Sequence, residues 1–239
     1  MIHSLIHSAV QQVSYNYTYL IIFAAIAILS YIIQSNLKSK FEKFSKIPVG
    51  MTGHDVAVKM LHDNGIYDVT VTCTRGTLTD HYNPATKTVN LSDSVYSSAS
   101  VAAAAVAAHE CGHAIQHARA YAPLKMRSAL VPVVSFASSM MTWILLIGIL
   151  TVETMPELLF AGIILFATTT IFSFITLPVE IDASRRALVW LQASGITNAG
   201  NHKYATSALR SAAYTYVVAA LSSLATLLYY IMIFMNRRD

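Results

Sequence analysis

Charged side chains are what this 239-residue chain has least of: Asp, Glu, Lys and Arg make up 12% of it, against about 25% in an ordinary soluble protein. Hydrophobic residues make up 55%. So little polar chain cannot cover a soluble core of that size, and the composition points to a bilayer. Cysteine is nearly absent as well. Cys73 and Cys111 are the only two, which excludes a disulfide framework. There is no internal repeat or low-complexity tract, although residues 102–108 are locally rich in Ala. The net charge of +4 forms no basic stripe and accompanies no base-stacking motif, so it implies no nucleic-acid partner.

Long uncharged runs are present instead. Residues 15–34, 129–150, 158–177 and 212–235 contain no Asp, Glu, Lys or Arg. About twenty residues at 1.5 Å each cross a hydrocarbon core about 30 Å thick, and the backbone there must satisfy itself as helix. The expected fold is therefore an α-helical integral membrane protein with about four transmembrane helices. A small α+β module occupies 36–127, and a helical segment at 178–211 precedes the last span. No Lys or Arg precedes the first span and no small-residue cleavage pattern follows it, so it reads as an uncleaved anchor. Lys38, Lys40, Lys43, Lys46, Arg127, Arg185 and Arg186 flank the spans on one side, which the positive-inside rule makes cytoplasmic. The connection at 151–157 has two Glu and no Lys or Arg, and is expected outside. Arg237 and Arg238 run against this pattern. The absence of charge within any span argues against a transporter or channel.

In the 36–127 segment, Thr52 followed by Asp55 resembles a helix cap, with Gly65 as terminator. Residues 67–73, 77–82 and 87–91, around the Asn83-Pro84 turn signal, read as short strands. A helix over 99–119 follows, with Ser92 or Ser98 as candidate cap. Its apolar part, 99–108, is too short to span and is expected to pack on neighbouring helices.

That helix carries His109-Glu110-Cys111-Gly112-His113. Residues four apart share a helix face, so both imidazoles can reach one ion, and Glu110, about 100° around, can reach a water beside it. Zinc activates water and polarises a carbonyl, and a carboxylate moves the proton: the chemistry of peptide hydrolysis. Cys111 faces about 200° away and reads as a buried thiol. His117 lies about 12 Å along the axis from His109, too far to share the same zinc. A catalytic zinc needs a third protein ligand. Carboxylates at a membrane boundary are costly unless paired, bound to metal or facing water, which makes Glu180 and Asp182 the candidates. Their spacing does not separate them. For a developing oxyanion, Arg185, Arg186, His81, Tyr82 and His117 are all chemically able donors. The 77–91 hairpin could hold extended peptide by adding a strand, or serve only the fold.

The blocks Leu78-Thr79-Asp80-His81-Tyr82-Asn83-Pro84, Ala107 to His117, Tyr121-Ala122-Pro123-Leu124-Lys125 and Pro178 to Arg186, in that order, resemble the bacterial neutral zinc metallopeptidase family of the YugP type. The resemblance covers most of the chain. It implies a membrane-bound zinc metalloendopeptidase with Zn2+ held by His109, His113 and Glu180, Glu110 as general base, and a polypeptide substrate, membrane-associated by analogy. The expected location is the bacterial plasma membrane, multi-pass, with the active site cytoplasmic. A more distant similarity links the chain to the HtpX and CAAX-protease gluzincins. Those relatives commonly carry Asp four residues after the ligand Glu, where this chain has Ser184. The alternative function is a catalytically silent zinc-binding membrane scaffold, indifferent to loss of Glu110.

Overall fold

A computed structural model describes the backbone of residues 2–236 and the side chains of residues 20–236. Residues 15–19 of the expected first span therefore lie outside the described side chains, and Arg237 and Arg238 lie outside the described residues. In chain order the elements are α1 (Ile2–Phe44), α2 (Gly53–Asp63), β1 (Thr70–Thr74), β2 (His81–Asn83), β3 (Thr88–Ser92), α3 (Asp93–Tyr96), α4 (Val101–Ala118), α5 (Ala122–Leu150), α6 (Pro156–Ala193) and α7 (His202–Asn236).

Helices α1, α5, α6 and α7 are long and apolar enough to cross a membrane. Their outer faces leave Ile21, Phe136, Trp143, Ile171 and Leu221 uncovered by protein, as lipid-facing residues are. Helices α5 and α6 form a hairpin closed by glycine. A Cβ on Gly148 would meet backbone atoms of Leu159 at 2.7 Å, so the missing side chain is what allows the two helices to touch there. Helix α7 packs against α6 and α1, and Lys40 Nζ donates to Ser211 Oγ over 2.7 Å between α1 and α7.

The expected separate segment at 178–211 is divided differently. Helix α6 continues through Pro178 to Ala193, residues 194–201 turn, and α7 begins at His202. Proline removes one ladder hydrogen bond, but tertiary packing outweighs that loss. Val179, Ala183, Ala187 and Leu191, spaced four apart, are fully buried, and this stripe of α6 packs on α4.

The module between α1 and α5 is built around α4. Its residues Val101–Ala105, Ala107 and Ala108 are all buried, and their small side chains allow α2, α6 and α7 to close around the helix. Ser100 caps α4, its Oγ accepting the Ala103 N–H over 3.3 Å, two residues beyond the later of the two expected caps. Thr52 caps α2 as the sequence suggests, and Gly65 follows it at φ +73°. The sheet has the order β1-β3-β2, with β1 parallel and β2 antiparallel to β3, so β2 has a free edge. Strand β2 is shorter than the expected 77–82. Asp80 leaves the ladder because its carboxylate accepts the Ser92 N–H over 2.7 Å.

Candidate metal centre

Helices α4 and α6 run antiparallel where they cross, since His109 meets Ser184 while Gln116 meets Val179. The crossing is close because residue 112 is glycine: a Cβ there would stand 2.6 Å from Ala183 O. One turn either side of that contact, the side chains converge. Glu180 Oε2 lies 3.3 Å from His109 Nε2 and 3.6 Å from His113 Nε2. Ligands bound tetrahedrally to zinc at about 2.0–2.1 Å stand about 3.3–3.4 Å apart, so these separations fit the ion.

The hydrogen bonds around the three groups point the same way. His109 Nδ1 lies 3.1 Å from Ser184 Oγ, and His113 Nδ1 lies 3.1 Å from Gln116 Oε1, which turns both Nε2 atoms towards Glu180. Glu180 Oε1 faces Arg127 Nη1 at 3.6 Å, while its Oε2 is buried and makes no hydrogen bond. A buried carboxylate oxygen without a hydrogen bond, aimed at two imidazole nitrogens, is an arrangement that could hold a cation. Electrostatics agrees. Burial pushes the Glu180 carboxyl up, but the two imidazoles outweigh it and hold the group well below the usual carboxylate range. Burial likewise opposes charge on His113, yet Glu180 and Glu110 overcome it and raise its pKa.

Glu110 is buried and lines the same cavity as the three donors, a space of about 580 Å³ between β2, α4 and the start of α5. Its Oε2 accepts the backbone N–H of Tyr82 over 3.0 Å. The Tyr82 phenol pairs with His117 Nδ1 at 2.8 Å, so one residue of β2 is fastened to α4 at two places. Burial, with a smaller contribution from Asp68, pushes that phenol up, and it remains a donor.

The family described as "Putative neutral zinc metallopeptidase" matches residues 19–235. The chain belongs to that family. It is 45% identical over 224 residues, 92% of this chain and 99% of the relative, to the Bacillus subtilis (strain 168) protein named "Putative membrane protease YugP". No solved structure matches it. The metal implied by a zinc metallopeptidase is Zn2+, and the described residues offer one group of three donors for it: His109, His113 and Glu180.

Of the two carboxylates the sequence left open, this metallopeptidase brings Glu180 to the imidazoles. Asp182 turns away, accepting from Gln116 Nε2 over 3.0 Å and pairing with Arg185 and Arg186. Those arginines do not line the cavity, whereas His81, Tyr82 and His117 do. Cys111 is buried against α2, its Sγ 3.5 Å from Ala57 O, and burial pushes its thiol up. Three participants were not singled out from sequence, and Ser184 was noted there only as standing where relatives carry Asp. Gln116 and Ser184 sit one turn from a ligand and could have been sought as imidazole partners. Arg127 was read only as a membrane flank. Tyr216, on α7, lines the cavity and carried no signal at all.

Proposed function

We propose that this chain is a membrane-bound zinc metalloendopeptidase in which His109, His113 and Glu180 hold the metal and Glu110 is the general base. The observation that carries the reading is the buried Glu180 Oε2, without a hydrogen bond between two imidazole Nε2 atoms, in the wall of a cavity that Glu110 shares. Zinc, when bound, makes water acidic and polarises a carbonyl. Glu110 then takes a proton from the attacking water as its oxygen bonds to the carbonyl carbon, and returns it to the amide nitrogen as the C–N bond breaks. The Tyr82 N–H fixes the direction of the Glu110 carboxylate. The phenol of Tyr216, which lines the cavity, is a donor available to the developing oxyanion, whereas that of Tyr82 is already paired with His117.

Two features support a membrane-associated polypeptide as substrate. The outer edge of β2 borders the cavity through His81 and Tyr82, with Pro84 just beyond it, so an extended chain can lie along it, the Tyr82 N–H itself being taken by Glu110. The cavity also lies at the bilayer boundary. Val131 and Tyr216 in its wall belong to uncharged runs, whereas Lys125 and Arg127 belong to their charged flank. The excess of Lys and Arg on that flank supports a cytoplasmic active site in a bacterial plasma membrane.

The test uses purified full-length protein in vesicles with one polypeptide supplied in two forms, free and fused to a transmembrane helix. The expected result is zinc-dependent cleavage of the anchored form, lost in Glu110→Gln. Zinc bound with no cleavage of either form would favour the silent scaffold, and equal cleavage of both would remove only the membrane-associated part of the reading.

A further inference from the structure

The two imidazoles are not held alike. Ser184 Oγ, beside His109 Nδ1, can donate or accept, so it leaves the protonation of that nitrogen free. Gln116, beside His113, leaves no such freedom. Its side chain is fully buried. One end lies 2.8 Å from Val179 O and 3.0 Å from Asp182 Oδ2. Both neighbours are acceptors, so that end must be the amide NH2. The end 3.1 Å from His113 Nδ1 must then be the oxygen, and Nδ1 must carry the hydrogen. The only lone pair left on the ring is at Nε2, which faces Glu180.

From this we infer that Gln116 and Asp182 form a relay that sets the tautomer and direction of His113: the Asp182 carboxylate, together with the Val179 carbonyl, fixes the amide, and the amide fixes the imidazole. The inference rests on the reading that His113 is a zinc ligand. It assigns both residues as positioning residues, acting on the metal only through the ring. It also gives the motif helix a reason for Gln three residues after its second histidine. Asp182 contributes to the metal site without touching it; Arg185 pairs with its other oxygen, Oδ1, whereas Arg186 shares Oδ2 with the amide.

The experiment measures zinc affinity of the detergent-solubilised full chain by competition with a chelator, so that no activity is needed. The variants are Gln116→Met, Asp182→Ala, the two together, and Arg185→Gln. Methionine keeps the volume of Gln116 and removes both of its hydrogen-bonding ends. Losing the partner of a ligating histidine typically costs about 10–100-fold in metal affinity, which is the loss expected for Gln116→Met. Because Asp182 acts only through Gln116, the double variant is expected to bind as the Gln116→Met single does. Arg185→Gln, which removes an ion pair to Oδ1 but leaves Oδ2, the acceptor of the amide, is expected to bind as the unaltered protein.

Unchanged affinity in Gln116→Met overturns the relay, as does a double variant whose loss is the product of the two singles. If Gln116→Met does not fold, the comparison of Asp182→Ala with Arg185→Gln decides, since equal losses show a role in ion pairing. His113→Ala separates the two levels. Retained zinc there removes the ligand assignment itself, whereas zinc lost in His113→Ala and kept in Gln116→Met removes the relay alone.

Discussion

The backbone N–H of Tyr82 donates to Glu110 Oε2 over 3.0 Å, joining the free edge strand to the helix that carries both imidazoles. A strand able to hold peptide and the carboxylate that would move its proton are thereby fixed to each other. The contact also makes one substitution informative.

Glu110→Gln retains an oxygen that can accept the Tyr82 N–H, so fold and zinc content are expected to be unchanged. Turnover is expected to fall by a factor of about 100 to 10,000, the usual cost of losing a general base. Zinc analysis and peptide hydrolysis on the same preparation check it. Near-normal hydrolysis would exclude Glu110 as the base, and lost zinc would make it a structural support.

The membrane helices were legible because a deficit of charge sustained over about twenty residues has few other readings. The histidine pair was legible because spacing of four is a statement about one helix face. What joins distant segments was not. Glu180 and Asp182 differ in which face of α6 meets α4, and that depends on the buried stripe from Val179 to Leu191. The continuation of α6 through Pro178 was hidden for the same reason, since local propensity argues for a break and packing overrides it. Tyr216 enters the cavity only because α7 packs beside α6, a tertiary fact with no local signal.

Removing a ligand is expected to release the metal. His109→Ala, His113→Ala and Glu180→Ala should each lose bound zinc, because three protein ligands leave none to spare. Asp182→Ala should keep zinc at saturating concentration, with weakened affinity only. Metal analysis after gel filtration distinguishes these outcomes. If Asp182→Ala is emptied and Glu180→Ala is not, the third ligand is misassigned.

The native cysteines report on topology. Cys73 is exposed, while Cys111 is fully buried with its thiol pushed up by burial, so only Cys73 should label in the folded protein. Labelling is expected to be slow at neutral pH, because the hydrogen bond to Asp93 pushes the Cys73 thiol up as well. In intact bacterial cells an impermeant reagent should miss Cys73 and reach Thr154→Cys in a variant lacking Cys73, since residue 154 lies in the exposed turn of the α5–α6 hairpin. Labelling of Cys73 from outside would invert the orientation and place the metal centre outside the cell.

Gly112→Ala tests whether the metal centre depends on the helix crossing rather than on its ligands alone. Alanine is the better helix former by about 1 kcal/mol, so propensity by itself predicts a more stable protein. Packing predicts the opposite. The new Cβ would meet Ala183 O at 2.6 Å and Ala183 Cα at 3.0 Å, where ordinary contact begins at 3.4 Å. These are backbone atoms, so no rotamer change relieves the clash and α4 must draw away from α6. Overpacking of this kind typically costs about 1–3 kcal/mol, enough to outweigh the gain in propensity. Movement at this point separates His109 and His113 from Glu180, and strains the bonds from Ser184 to His109 and from Gln116 to Val179 that flank it. Zinc affinity is therefore expected to fall although every ligand is retained. Shortening Ala183 to glycine in the same chain should not restore it, because the obstructing atoms belong to the backbone. Chelator competition and thermal unfolding measured together decide: a variant that melts higher and binds zinc as the unaltered protein does would show that the crossing has room to spare, and that the position of Glu180 is set by something other than the contact at Gly112.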